Sequence, residues 1–179
     1  MIEFKYKSGQ VILKKVQIGT VTDNGSGSDH SPTNWICTYY LYDDFGSLRC
    51  VVQPEGVKWL NANGWNFGAA NGTTILAEQC FRYEYDQRRR MIAKKVPGAA
   101  EVYMVYDNRD RLVATSDGNG RSGSYTGYCY WMFTLYDALN RPVVTGEMHS
   151  CIGWAAMQAH ASALNRTNET ISLQPYINA

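Results

Sequence analysis

The sequence predicts a mainly β fold, a curved antiparallel sheet of hairpins with one or two short helices. Three observations lead there. Thirteen Tyr and five Trp among 179 residues enrich the chain in side chains that favour strands, and sixteen Gly punctuate it with turns. Most apolar stretches are short runs of about strand length bounded by Gly, Asn, Asp or Ser, rather than long helical stripes. Finally, one phrase returns four times: a Tyr-Asp pair, a short polar stretch, a position holding Arg in three copies of four, and an aliphatic run.

Taken in order, "IEFKYK" and "VILKKVQI" alternate well enough for two strands joined across Ser8-Gly9-Gln10. "GTVTDNGSGSDHSPTN" holds little to bury and reads as a mobile loop or linker. "WICTYYLYD" is dense in aromatic and β-branched residues and reads as a strand. "PEGVKWLNANG" fits a short helix, with Pro54 suited to its first turn, Glu55 to the positive end of its dipole and Gly64 to its stop. "WNFGAANGTT" reads as a loop. Strands then follow closely: "QCFRYEYD", "RMIAKKV", "AEVYMVYD", "RLVAT", "YCYWMFTLYD" and "PVVTG", with "SDGNGRSGSYTG" as a polar loop among them. "IGWAAMQAHASALN" spaces Trp154, Met157, Ala161 and Leu164 as one face of an amphipathic helix. The tail "ISLQPYINA" is a last strand or a frayed end. The expected organisation is residues 1–34 as a strand pair and linker, 35–147 as the hairpin region, and 148–179 as a helix and tail.

Aligned on Tyr-Asp, the copies are Tyr42-Asp43, Tyr85-Asp86, Tyr106-Asp107 and Tyr136-Asp137. Three positions after each Asp stand Gly46, Arg89, Asp110 and Asn140, a place where a tight turn demands positive φ. Arg89 is the misfit there. Next come Ser47, Arg90, Arg111 and Arg141, then the returning strand. Each copy therefore predicts a β-hairpin whose Asp caps its turn through backbone N–H groups and whose Arg pairs with that Asp. The Tyr packs an apolar face and reaches a polar edge with its hydroxyl. Turn chemistry accounts for these residues without catalysis.

The phrase resembles the YD repeat of RHS proteins. More narrowly, "TYYLYDDFGSLRCVV", "FRYEYDQRRRMIAKKVPGA", "VYMVYDNRDRLVATSDGN" and "FTLYDALNRPVVTGE" resemble the segment preceding the RHS core in large Bacteroidetes-type RHS repeat proteins. The resemblance spans Trp35 to Glu147. It implies a non-catalytic structural segment of a bacterial protein, part of a β-shell or scaffold that encloses or presents an attached toxin-like domain. Partners would be further repeats of the same chain or a homo-oligomer through sheet edges, and the location secreted or at the cell surface. The departures are Arg89 at the turn Gly, Ser47 at the Arg, and Pro142 in a returning strand, which suits an edge.

Other chemistries find little support. The net charge of +1 gives no long-range attraction for nucleic acid, and the basic run Arg88–Arg90 sits in a turn beside Glu84 and Asp86. The charged N-terminus is no signal peptide and no apolar run is long enough for membrane insertion. Five cysteines without a C-x-x-C pair argue for buried thiols rather than a metal site, with one bridged pair possible. His30, His149 and His160 form no ligand pair; His149 beside Cys151 is a thiol-imidazole neighbourhood without a third group. No enzyme, cofactor or metal is expected. The alternative to a scaffold is a carbohydrate-binding module using exposed Trp and Tyr platforms, with Trp65 and Phe67 as the ligand-binding candidates.

Overall fold

A computed structural model describes residues 1–122 and 129–163. Ten antiparallel strands lie in one open sheet in which spatial order follows chain order. The strands are β1 (Ile2–Lys5), β2 (Val11–Gln17), β3 (Trp35–Tyr42), β4 (Leu48–Val52), β5 (Cys80–Tyr85), β6 (Met91–Lys95), β7 (Val102–Tyr106), β8 (Leu112–Ser116), β9 (Tyr130–Tyr136) and β10 (Pro142–His149). The helices are α1 (Pro54–Ala62), α2 (Gly72–Glu78), α3 (Gly118–Ser122) and α4 (Trp154–Ala163). The chain forms two compact units, Met1–Glu84 with Lys95–Ala99 and Tyr85–Lys94 with Ala100–Ala179.

In the first unit, Leu13, Trp35, Cys37, Val52 and Cys80 turn one sheet face inward, and Val57 and Leu60 of α1 close over it. Alternation explains the choice: on β3 the buried residues Trp35 and Cys37 flank the exposed Ile36. Pro54 starts α1 where its missing N–H costs nothing. The helix stops at Gly64, φ 64°, and the Trp65 N–H returns to the Leu60 carbonyl at 2.8 Å.

Residues 72–74 belong to α2 and not to the expected loop. Gly-Thr-Thr has poor helix propensity, but Leu76 packs on the core and tertiary burial overrides propensity. Gly72 is obligatory because a Cβ there would lie 1.8 Å from the Phe67 carbonyl oxygen.

The loop at 19–34 folds back on its sheet. Asp23 pairs with Lys15, whose side chain is fully buried, and Lys15 Nζ lies 4.5 Å from the Trp35 ring centre. Asp29 accepts the Trp35 indole N–H at 2.8 Å. These two acids give a stretch poor in apolar side chains its anchorage.

The second unit buries Val105, Val113, Ala114 and Trp131 against Met157 and Ala161 of α4. The amide of Gln158 donates to the Tyr106 carbonyl at 2.7 Å and accepts the Tyr106 N–H at 3.0 Å, so the helix supplies one peptide's worth of hydrogen bonds to β7. Trp154 adds an indole N–H to the Met104 carbonyl at 2.8 Å. A disulfide joins Cys129 to Cys151, so one cysteine pair is bridged; Cys37, Cys50 and Cys80 are free thiols. Within the polar loop expected over 116–127, Ser116 ends β8, and α3 is capped by Asp117, which accepts the Gly120 N–H at 2.8 Å. Leu164, the remainder of that loop and the tail "ISLQPYINA" lie outside the described residues.

Candidate functional site

The geometry that repeats is the hairpin turn. Numbering each turn from its Asp as position one, the position-one N–H donates to the position-five carbonyl at 2.9–3.0 Å, and the position-four N–H returns to the position-one carbonyl at 2.9–3.1 Å. Position four is left-handed in every copy: Gly46 at 81°, Arg89 at 61°, Asp110 at 62° and Asn140 at 63°. This is a type I turn closed by a left-handed bulge residue, the commonest three-residue hairpin loop. Arg89 adopts the conformation despite its Cβ.

The Asp organises the loop. Its Oδ1 accepts two N–H groups, from positions three and five: Phe45 and Ser47 at Asp43, Arg88 and Arg90 at Asp86, Arg109 and Arg111 at Asp107, Leu139 and Arg141 at Asp137, at 2.8–3.1 Å. Its Oδ2 takes the Arg Nε, at 2.7 Å in the Asp86–Arg90 and Asp107–Arg111 pairs and 2.6 Å in Asp137–Arg141. Burial pushes the carboxyls of Asp86 and Asp107 up, but amide and guanidinium donors outweigh it and hold both below the usual carboxylate value. At Asp137 the Arg141 amide is the main cause of a shift in the same direction.

Arg90 and Arg111 also reach into the next hairpin. Arg90 Nη1 donates to the Asp107 carbonyl at 3.2 Å and to Asp110 Oδ1 at 2.8 Å, and its guanidinium lies 4.7 Å from the Tyr106 ring centre. Arg111 repeats this on the Asp137 carbonyl at 3.3 Å, Asn140 Oδ1 at 3.2 Å and the Tyr136 ring at 5.0 Å. In return the Tyr hydroxyl donates to the carbonyl just after the preceding Arg: Tyr106 to Met91 at 2.8 Å and Tyr136 to Leu112 at 2.9 Å. Turn and neighbour are thus fastened in both directions. Arg88 joins in by pairing with Asp110 at 2.9 Å, so the basic run is matched by acid.

A fifth copy escaped the sequence reading. Between β1 and β2 the Tyr6 N–H donates to the Gln10 carbonyl at 2.9 Å, the Gly9 N–H returns to the Tyr6 carbonyl at 2.9 Å, and Gly9 has φ 86°. The turn is the same without its Asp. Gln10 takes the outreaching role, donating to the Gly46 carbonyl at 2.9 Å, while the Tyr42 hydroxyl donates to the Val11 carbonyl at 3.0 Å. The legible signal was Gly9, placed before Gln10 as Gly46 is before Ser47. All ten strands are five such hairpins.

Trp65 is 44% exposed with φ 60°, and its ring meets those of His30 and Tyr39 edge-on at 4.9 and 5.2 Å. His30 Nε2 and the Tyr39 hydroxyl are 2.6 Å apart. Phe67 is partly buried and packs against the core of its unit. The thiol-imidazole idea at His149 and Cys151 fails for a plain reason. Cys151 sulfur is spent in the disulfide, and His149 Nε2 sits 2.7 Å from Glu147. Among the described residues no cluster of His, Cys, Asp and Glu could hold a metal ion, and no helix is long and apolar enough to cross a membrane.

No family model matches the chain, and no curated protein does. Solved structures do. A crystal structure of TcdB2-TccC3-TEV aligns over 79% of this chain with TM-score 0.52 and 14% identity. A Photorhabdus luminescens Tc holotoxin pore with a mutated TccC3 aligns over 89% with TM-score 0.55 and 12% identity. The chain spans 6% and 7% of those much longer chains. By its fold, then, this array of clasped hairpins is similar to a short stretch of each of these two solved structures.

Proposed function

We propose that the chain is a non-catalytic scaffold segment of an RHS-like bacterial protein, one stretch of a wall that encloses or presents an attached toxin-like domain. The observation that carries this reading is the clasp itself. The four Asp cap their own turns, and Arg90, Arg111, Tyr42, Tyr106 and Tyr136 fasten turns to their neighbours, which gives these repeated polar residues a structural task. The fold similarity to stretches of toxin complexes points the same way. The disulfide fits an oxidising compartment, as a secreted or surface protein would meet.

The test is the reading frame in the source genome. Continuation past the Ala179 codon into more Tyr-Asp hairpins and an unrelated C-terminal domain is the expected result. A frame that joins these residues to a conventional enzyme domain, with no further hairpins on either side, would overturn the reading.

A second reading has one observation behind it. Trp65 holds an exposed indole in a left-handed backbone position, braced by His30 and Tyr39, as a rigid stacking platform for a sugar ring requires. On this reading, polysaccharide changes the tryptophan fluorescence of the protein, and Trp65→Ala abolishes the change. A response that survives in the Trp65→Ala variant sinks it.

A further inference from the structure

The fastening described above has a direction, and its last donor faces outward. Arg90 and Arg111 have side chains only 17% and 11% exposed because the following hairpin covers them. Arg141 holds the same position in its turn, makes the same bond to its own Asp137, and is 71% exposed. Among the described residues β10 has a single neighbour, β9, so its outward backbone groups form an open edge. Val143 and Val144 on that strand are 59% and 47% exposed.

We infer that the β10 edge is a docking surface for a further β-hairpin with a Tyr-Asp-x-x-(Asn/Asp) turn, received by the Arg141 guanidinium and the Pro142 carbonyl. The inference rests on the scaffold reading and names the partner of that scaffold. Register supplies the argument. Tyr106 pairs across its hairpin with Leu112, and Tyr136 pairs with Pro142, each beside a local shift in register. Met91 and Leu112, which directly follow the clasping Arg, accept the hydroxyl of the next Tyr. Pro142 directly follows Arg141 and is the next acceptor in that series. Arg141 correspondingly needs what Arg90 and Arg111 have: a turn carbonyl, a side-chain oxygen at position four and a Tyr ring.

The partner is not a second copy of this chain joined end to end. The opposite outer strand is β1, and there the residue in the place of Tyr is Lys5, which pairs with Val11 as Tyr42 pairs with Leu48. A Lys brought to Arg141 sets like charges together and offers neither ring nor hydroxyl.

The probe is a disulfide-cyclised peptide carrying residues 102–115, "VYMVYDNRDRLVAT", shown by NMR to be a folded hairpin before use. Titrated into the full chain and followed by fluorescence anisotropy, it should bind saturably. Arg141→Ala should weaken that binding about tenfold, a change of about 1.4 kcal/mol, with the circular dichroism of the protein unchanged. Tyr106→Phe in the peptide should weaken it severalfold. Absence of saturable binding, or equal affinity for the Arg141→Ala protein, overturns the inference. So does an Arg141-dependent dimer of the chain alone in sedimentation equilibrium, because it would make the occupant a second copy. None of these results touches the reading-frame test, so the two ideas fail separately.

Discussion

Arg89 sits at φ 61° in a turn where its counterparts are Gly, Asp and Asn. A Cβ in that region costs about 1–2 kcal/mol for ordinary residues and less for Asp and Asn. Arg89→Gly is therefore expected to stabilise the protein by about 1 kcal/mol, read as a higher urea midpoint at unchanged slope. At the neighbouring turn Asp107 is 4% exposed and accepts two amides and a guanidinium. Asp107→Ala removes the acceptor for all of them and is expected to cost about 3 kcal/mol. The pH dependence follows in sign. The folded-state carboxyls of Asp86, Asp107 and Asp137 lie below the ordinary 3.8, so their contribution is complete above that value and is lost as pH falls from there through the lowered folded-state values. Urea unfolding at pH 7 and pH 3 should show this loss, and Asp107→Asn should flatten part of it.

At the scale of elements, the turns set register, Arg90 and Arg111 reach forward into the next hairpin, and Tyr42, Tyr106 and Tyr136 reach back to the preceding one. Ser47 has no guanidinium to extend as Arg90 and Arg111 do, and the first Tyr-Asp turn keeps its own cap. The loop at 19–34 works through the buried Lys15–Asp23 pair. Losing one partner of such a pair strands the other charge, whereas an apolar replacement of that charge removes the penalty. Asp23→Ala should lower the thermal midpoint, and adding Lys15→Met to that variant should recover most of the loss. A double variant as unstable as Asp23→Ala alone would mean that the loop, and not the stranded ammonium, carries the effect.

At the scale of the molecule, two units each have their own apolar core, so a lesion in one should be local. The Cys129–Cys151 disulfide closes a loop with a sequence separation of 22 in the second unit. Cys129→Ser should cost about 3 kcal/mol by the chain-entropy relation. Amide exchange should accelerate around Val105, Val113 and Trp131, while the amides of Leu13, Cys37 and Val52 keep their protection. Uniform acceleration through both cores would show that they unfold together.

Much of this was legible in the chain itself, because hairpins are local. Tyr-Asp, the positive-φ residue and the Arg lie within six residues of one another, so turn chemistry and strand alternation set every strand of the repeat and the helices α1 and α4. What lay beyond the sequence were contacts between residues distant along it. Helix α2 forms on weak helix formers because Leu76 finds a core. The first hairpin lacks Asp yet copies the turn, and Gln10 replaces Arg only because Gly46 stands beside it. Cys129 and Cys151 meet across β9 and β10, and Lys15 is buried only where Asp23 returns to it. Local sequence determined the hairpin of this protein; tertiary structure decided which side chains reach from one hairpin into a neighbouring one, since that reach is a distance in space that no spacing along the chain encodes.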